Sequence, residues 1–265
     1  MSSIDDALHK ELNSGGAQIP RLNRALRLLA KHRSMLLQNE LVKNLGIEVL
    51  GGPFKGMKFI ENSAEGCHIP KLLGCYECEL HGFIASMTRR QYQTVLNIGC
   101  AEGYYAVGFK RLFSDLRVIA RDTDIRAQNA CSELARRNGL EIETGGQFAP
   151  EDFSAFAGRT LVWCDIEGGE LALLDPQKAP ALAHMDIVVE LHPGPAMPNV
   201  TEVPERFRNT HEISIVRQQM ARPELPALFH NASHLDQLLA VWEWRSSPTP
   251  WAIMIAKNFP AAVSS

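Results

Sequence analysis

Short apolar runs recur along the chain, separated by stretches with helical spacing. Val95–Ile98, Leu116–Ala120, Leu140–Thr144, Thr160–Cys164, Asp186–Leu191, His211–Val216 and Trp251–Ala256 are too short for ordinary helices and rich in branched and aromatic residues, so they read as strands. Tyr104–Phe113 and Ile125–Asn138 read as helices between them, the second opened by Asp124 as an N-cap and closed at Asn138-Gly139. Shorter helices are expected at Glu151–Phe156, Leu171–Leu174 and His234–Ala240, the last capped by Ser233 or Asn231. Strand and helix alternating in this way predict an α/β fold built on a mostly parallel sheet. Pro248 and Pro250, just before the last run, predict a bend into an edge or antiparallel strand.

The first 45 residues follow another pattern. Ile4–Leu12 reads as a short helix, interrupted by Asn13-Ser14-Gly15-Gly16. From Pro20 onward Leu22, Leu26, Leu29 and Ala30 recur at helical spacing, with Arg21, Arg24, Arg27 and Lys31 elsewhere on the wheel, and Gly46 stops the helix after Leu45. Residues 1–45 thus form a helical arm. It is either a packing extension or a lid or dimerisation arm, and in the latter case a homodimer forms through it. Residues 46–265 form the main domain. It starts with a β-hairpin over 47–60, turned by Gly51-Gly52-Pro53 and Lys55-Gly56, and holds its core sheet over about 92–258.

Composition narrows the function classes. The chain has 265 residues, 45% hydrophobic and 22% charged, with a net charge of -3 and no long basic run, which argues against charge-driven binding of nucleic acid or membrane. No apolar stretch is long enough to span a bilayer, and Met1–Lys10 lacks the apolar segment of a signal peptide, so a cytoplasmic setting is expected. Six scattered cysteines fit free thiols in a reducing compartment. Cys75 and Cys78 form a C-x-x-C with Cys67, His68 and His81 nearby. Incidental thiols, a redox pair and a zinc site are its readings, and the missing second C-x-x-C weighs against zinc.

The candidate chemistry starts at the turn after Val95–Ile98. Gly99-Cys100-Ala101-Glu102-Gly103 leads into a helix at Tyr104, the strand–turn–helix sequence that cradles a nucleotide cofactor. Asp122, about 20 residues further on, is placed to accept hydrogen bonds from ribose hydroxyls, with Thr123 beside it. Gln147 and Phe148 follow the third strand, where the base of a nucleotide lies, and Phe148 either packs on a purine or belongs to the core. Asp165, Glu167 and Glu170 follow the fourth strand; Glu190 and His192 end the fifth. Neighbouring fourth and fifth strands would bring Asp165, Glu190 and His192 together. They would then hold Mg²⁺, Mn²⁺ or Fe²⁺, or let His192 act as a metal-free base oriented by a carboxylate. Capping and ion pairing is the third reading.

The pattern Asn97-x-Gly99-x-Ala101-x-Gly103 is not G-x-G-x-x-G, because Tyr104 stands where the third glycine would fall. With the early acid and the two late strands it resembles the class I S-adenosylmethionine (SAM) methyltransferases, although Asn97 replaces that family's acid and Ala101 one of its glycines. Asp165-x-Glu167-Gly168-x-Glu170 resembles the D-x-E-G-x-E motif of the FkbM-like group. Glu190 is similar to the acid ending that group's next strand, and Gly74-Cys75-Tyr76-Glu77-Cys78-Glu79-Leu80 to its G-x-Y-E-x-E-L run. The resemblance covers roughly residues 51–192. It implies a Rossmann-like seven-stranded, mostly parallel sheet with helices on both faces and an antiparallel last strand. It also implies a SAM site that includes Tyr76 and Glu77 near the methionine end, then Asn97, Gly99, Cys100, Ala101, Gly103, Tyr104, Asp122, Thr123, Gln147, Phe148 and Asp165. The activity it implies is methylation of a hydroxyl or amine on a small molecule such as a sugar or secondary metabolite; a hydroxyl nucleophile needs a proton acceptor, and His192 is the candidate base. The substitutions at Asn97 and Ala101 leave open other SAM chemistry that releases methylthioadenosine, and a non-catalytic SAM-binding partner protein. A nicotinamide dehydrogenase is a more distant alternative. The loops expected to line an acceptor site, Pro193–Pro204 and Arg217–Phe229, carry no readable code.

Overall fold

The computed structural model describes residues 3–61, 67–192, 198–245 and 247–260. In chain order the elements are α1 (Ile4–Leu12), α2 (Gln18–Leu45), α3 (His68–Leu73), α4 (His81–Arg90), β1 (Thr94–Ile98), α5 (Tyr104–Leu112), β2 (Arg117–Arg121), α6 (Ile125–Arg137), β3 (Glu143–Gly145), β4 (Thr160–Cys164), α7 (Glu170–Leu173), β5 (Asp186–Glu190), α8 (Pro198–Phe207), β6 (His211–Val216), α9 (His234–Ala240) and β7 (Trp251–Ala256).

Every residue of β1, β4 and β5 is buried. Strands with no polar face belong in the middle of a sheet covered on both sides, and these three lie there: the order is β3-β2-β1-β4-β5-β7-β6. Strands β1 to β5 pair in parallel, and β7 runs antiparallel to both of its neighbours. The apolar runs predict the mostly parallel sheet, and the seven-stranded Rossmann-like arrangement is the one the resemblance implies. The prolines before Trp251 do introduce an antiparallel strand, but it is interior; β6, with Glu212 and Ser214 exposed, forms the edge. Side chains alternate between two cores. Val95, Leu161, Trp163 and Val188 join one, while Leu96, Ile98, Val162, Cys164, Ile187 and Val189 join the other.

Three sequence expectations are corrected. Residues 47–60 double back on themselves, with Val49 N–H donating to Met57 O (2.9 Å) and Phe59 N–H to Ile47 O (2.7 Å), but only Glu48 and Lys58 form a bridge. The segment is a buried plug, not a β-hairpin of two strands, because Phe54, Met57 and Phe59 turn into the core and Phe54 packs edge-on against Tyr104 and Phe109 of α5. Residues 198–202, read as loop, begin α8, which buries Val203 and Phe207 and carries Pro204 internally; residues 193–197 lie outside the described residues. The third strand is only Glu143–Gly145, since Leu140 and Ile142 pack against the core before the pairing with β2 begins.

The N-terminal residues are helical as expected, with α2 running 28 residues and packing on α3 and α9. Ser233 caps α9 by accepting from Asp236 N–H at 3.1 Å. Ser233→Ala is expected to cost about 1 kcal/mol and to lower the melting temperature by about 2–4 °C, read in a thermal melt.

Candidate functional site

The carboxyl edge of the sheet is where the site is built. The chain leaves β1 and turns away from β4, so a crevice opens above this pair of strands, at the point where successive strands change direction across the sheet. Gly99 makes that turn with φ +78°, and a Cβ there would fall 1.5 Å from the carbonyl oxygen of Asp165. Its N–H donates to Arg121 O at 2.8 Å and Asp165 N–H donates to Ile98 O at 2.9 Å, so the start of the turn is fastened to the ends of both neighbouring strands. Ala101, a non-glycine residue, takes φ +45°, in the left-handed region. The N–H of Ala101 donates to Asp122 Oδ2 at 3.0 Å, and Asp124 N–H donates to Asp122 Oδ1 at 2.9 Å.

A cleft of about 500 Å³ follows this edge, within the range of small-molecule sites. Gly99, Asp122, Thr123, Gln147, Phe148 and Asp165 line it, six of the residues expected from sequence. Phe148 is half-buried and packs edge-on against Phe153 at 4.8 Å, so it serves the core and the cleft together. Ile166 and Leu173 also line the cleft, and sequence reading missed both because they look like ordinary core residues.

Beyond Gly99 and Asp165 lies a cavity of only about 20 Å³, room for about one water. Tyr76, Asn97, Cys100, Ala101 and Tyr104 line it, joined by Lys71, Glu102, Tyr105 and Trp163. Asn97 Oδ1, Tyr104 OH and Trp163 Nε1 are buried there with no hydrogen-bond partner among the described residues. Burying such groups unpaired is costly, and a polar ligand atom would relieve it. Lys71 and Glu102, both buried, form an ion pair at this end, with the ammonium 4.9 Å from the Tyr76 ring centre. Neither was expected: Lys71 sits in an otherwise unremarkable helical run, and Glu102 reads as a loop acid.

Two expected cofactor residues are placed otherwise. Glu77 is fully buried, with Arg245 on one oxygen and the Tyr105 hydroxyl donating to the other. Burial and the nearby Glu190 push its carboxyl up to about 8, against the pull of Arg245. Gly103 lines neither space. It has φ +91° and lies under α6, where a Cβ would come 2.6 Å from Cys131 Sγ.

Beside the cleft, the adjacency of β4 and β5 brings Asp165, Glu190 and His192 together, with ligand atoms all within 4.8 Å of one another. The partner that orients His192 differs from the expected one. Its Nδ1 lies 2.8 Å from Glu170 Oε1, and the same oxygen accepts from Gly168 N–H at 2.9 Å. Glu170 is buried and fixes the ring, while Nε2 faces Asp165 (3.7 Å), Glu190 (3.4 Å) and Glu167 (3.4 Å). Burial of the imidazole disfavours its charged form, but the Glu170 hydrogen bond and the charges of Glu190 and Glu167 outweigh this and hold His192 above its ordinary value. Glu190 gives its other oxygen to Arg245 and to the Thr249 hydroxyl. Arg245 also bonds Glu243 at 3.0 Å, so one guanidinium gathers three carboxylates. No spacing rule links Arg245 to Glu190, 55 residues earlier, so the contact was invisible in the sequence.

Of the cysteines, Cys75 is buried and Cys78 half-buried, and all six are free of disulfides.

No protein-family model matches the chain. No curated protein matches it either. Among solved structures it is similar to the bifunctional kinase-methyltransferase WbdD, at 16% identity over 83% of this chain and 46% of that one (TM-score 0.47). It is also similar to the O-methyltransferase TomG from Streptomyces achromogenes, involved in tomaymycin synthesis and solved with SAM (12% identity, 95% and 96% covered, TM-score 0.46). A putative O-methyltransferase from Klebsiella pneumoniae shows 14% identity over 96% and 97% of the two chains (TM-score 0.43). The chain spans about half the length of WbdD. These are likenesses of overall arrangement at low identity.

Proposed function

We propose that this chain is a SAM-dependent methyltransferase acting on a hydroxyl group of a small molecule, with His192 as the proton acceptor. The observation that carries the reading is the continuity of three features along one sheet edge: the cleft from Phe148 to Asp165, the polar cavity behind Gly99, and the carboxylate-ringed His192. The residues fit SAM. Each Asp122 oxygen already accepts one backbone N–H and keeps a lone pair for a ribose hydroxyl. Asn97 Oδ1 offers an acceptor to the ammonium of a methionine end, and Tyr104 OH and Trp163 Nε1 offer donors to a carboxylate. The small cavity must widen for that end to enter, so Tyr76 and Tyr104 are the side chains expected to shift.

SAM brings an activated methyl group on a sulfonium, so the protein's task is alignment and proton removal. Glu170 keeps Nδ1 of His192 occupied, which leaves Nε2 to take the proton of an acceptor hydroxyl. Asp165, Glu167 and Glu190 then stabilise the imidazolium that forms. Should a divalent cation take part, Asp165, Glu190 and His192 are the residues that would hold it, and it would lower the hydroxyl pKa.

Calorimetric titration with SAM and with NAD tests the cofactor, and product analysis tests the chemistry. SAM is expected to bind and NAD not to. Turnover with a panel of hydroxylated small molecules is expected to release S-adenosylhomocysteine. Methylthioadenosine as the product would overturn methyl transfer, and the absence of SAM binding would overturn the whole reading.

A further inference from the structure

Helix α2 buries Ala25, Ser34, Leu37 and Leu41 against the body, yet it leaves a second apolar row in water, which an ordinary surface helix does not. Arg24 pairs with Glu11, and Arg33 forms a two-pronged ion pair with Asp236 (2.7 and 2.9 Å). Arg27 donates to the carbonyls of Trp244 and Arg245, and the Lys31 ammonium lies 4.8 Å from the Trp244 ring centre. The contacts of Arg27, Lys31 and Arg33 fasten the helix to the body, and that of Arg24 fastens α1 to the helix. Ile19 (72% exposed), Leu22 (47%), Leu26 (66%), Leu29 (42%) and Leu36 (43%) remain in water.

Their spacing is 3, 4, 3 and then 7, the stripe of a two-helix seam, with Arg33 at the one position between Leu29 and Leu36 that is not apolar. Positions 18, 23, 25, 30, 32, 37 and 39, which flank the stripe, hold no Lys, Arg, Asp or Glu, so two such helices meet without like charges at their margins. The stripe is also its own mirror about a point between Arg27 and Leu28. Turned end for end, Ile19 faces the position of Leu36, Leu26 that of Leu29, and Leu22 the aliphatic stem of Arg33. A patch that maps onto itself by a half-turn is what a two-fold dimer requires. A parallel pairing would instead set Arg33 against Arg33 and Glu40 against Glu40.

We propose that α2 is a dimerisation helix, pairing antiparallel with α2 of a second copy of this chain about a two-fold axis at Arg27–Leu28. From Ile19 to Leu36 the seam is about 26 Å long. Covering its side chains removes on the order of 1,000 Å² from water over both copies, at the lower edge of specific interfaces. The dimer therefore dissociates in the micromolar range, and it stands independently of the reaction catalysed.

Sedimentation equilibrium of the full chain from about 1 to 200 µM, spanning the expected dissociation constant, tests the proposal. The wild type is expected to pass from monomer to dimer across this range. Leu26→Glu with Leu29→Glu is expected to raise Kd at least about tenfold with its circular dichroism unchanged, whereas Leu235→Glu, an exposed apolar position on α9, leaves Kd as it was. A wild type that stays monomeric throughout overturns the proposal, as does a double variant with Kd within twofold of wild type. A photo-cross-linking residue at position 26 in the otherwise intact chain covers the case in which the double variant fails to fold. The cross-link is expected at the partner's Leu29, and a link from 26 to 26 rules out the antiparallel pairing.

Discussion

Gly99→Ala is expected to cost about 4 kcal/mol or more, at the severe end of single substitutions, and to abolish ligand binding with it. Two effects add. A side chain at φ +78° costs about 1–2 kcal/mol wherever it occurs. The larger share comes from position: the new methyl would fall 1.5 Å from a backbone oxygen at the end of β4, and a strand end cannot yield as a flexible side chain does. β1 and β4 must part at the place where the cleft begins. Gly139→Ala isolates the first effect, since Gly139 has φ +67° and nothing within 4 Å of its added Cβ. It is expected to lose only the backbone share. Urea unfolding of the two variants gives both numbers, and equal losses would show that the approach of Asp165 to Gly99 is unimportant.

His192→Ala is expected to lower turnover at least about 100-fold, the lower range for removal of a general base, while SAM affinity stays within a few-fold. His192 is absent from the residues around the cleft and the small cavity, and it meets the cleft lining through Asp165 and Glu167. A defect confined to kcat is therefore its signature. Asp165→Ala is expected to lose turnover similarly. Glu170→Gln separates orientation from charge: an amide still fills the buried space and still meets Nδ1, but it removes the leading influence that raises the imidazole and leaves only Glu190 and Glu167 to do so. Its rate should fall less than that of His192→Ala, and the pH below which activity is lost should move down, because the base now stays unprotonated to lower pH. Unchanged turnover in both His192→Ala and Asp165→Ala would remove the proposed base and its neighbour from the mechanism.

The strands were legible because burial on both faces writes itself as an unbroken apolar run, and β4, β6 and β7 begin and end where their runs do. Asp165, Glu190 and His192 could be brought together on paper for the same reason, since adjacent parallel strands end side by side. Arg245, Lys71 and Tyr105 could not. Their partners lie in segments remote in sequence, and an ion pair closed by tertiary packing has no period or spacing to read. Glu170 stood in plain view in the D-x-E-G-x-E motif. Its role escaped because a buried acid that orients a neighbour and an exposed acid that caps a turn look alike until burial is known. The plug at 47–60 was misread for a different reason: Met57 and Phe59 are spaced as a strand would space them, yet together with Phe54 they turn into the core instead of across to a partner.

The antiparallel placement of β7 sets an order of events during synthesis. β5 takes its second neighbour from residues 251–256, about 60 positions downstream of its own end. At roughly 5–20 residues per second, the apolar edge of Ile187–Val189 stands open for several seconds after it leaves the ribosome. Through that interval β6, already made, has no strand to rest on, because it touches the sheet only through β7. A nascent chain paused before Trp251 therefore exposes two unpaired edges at once, and chaperone capture is expected to be strongest there.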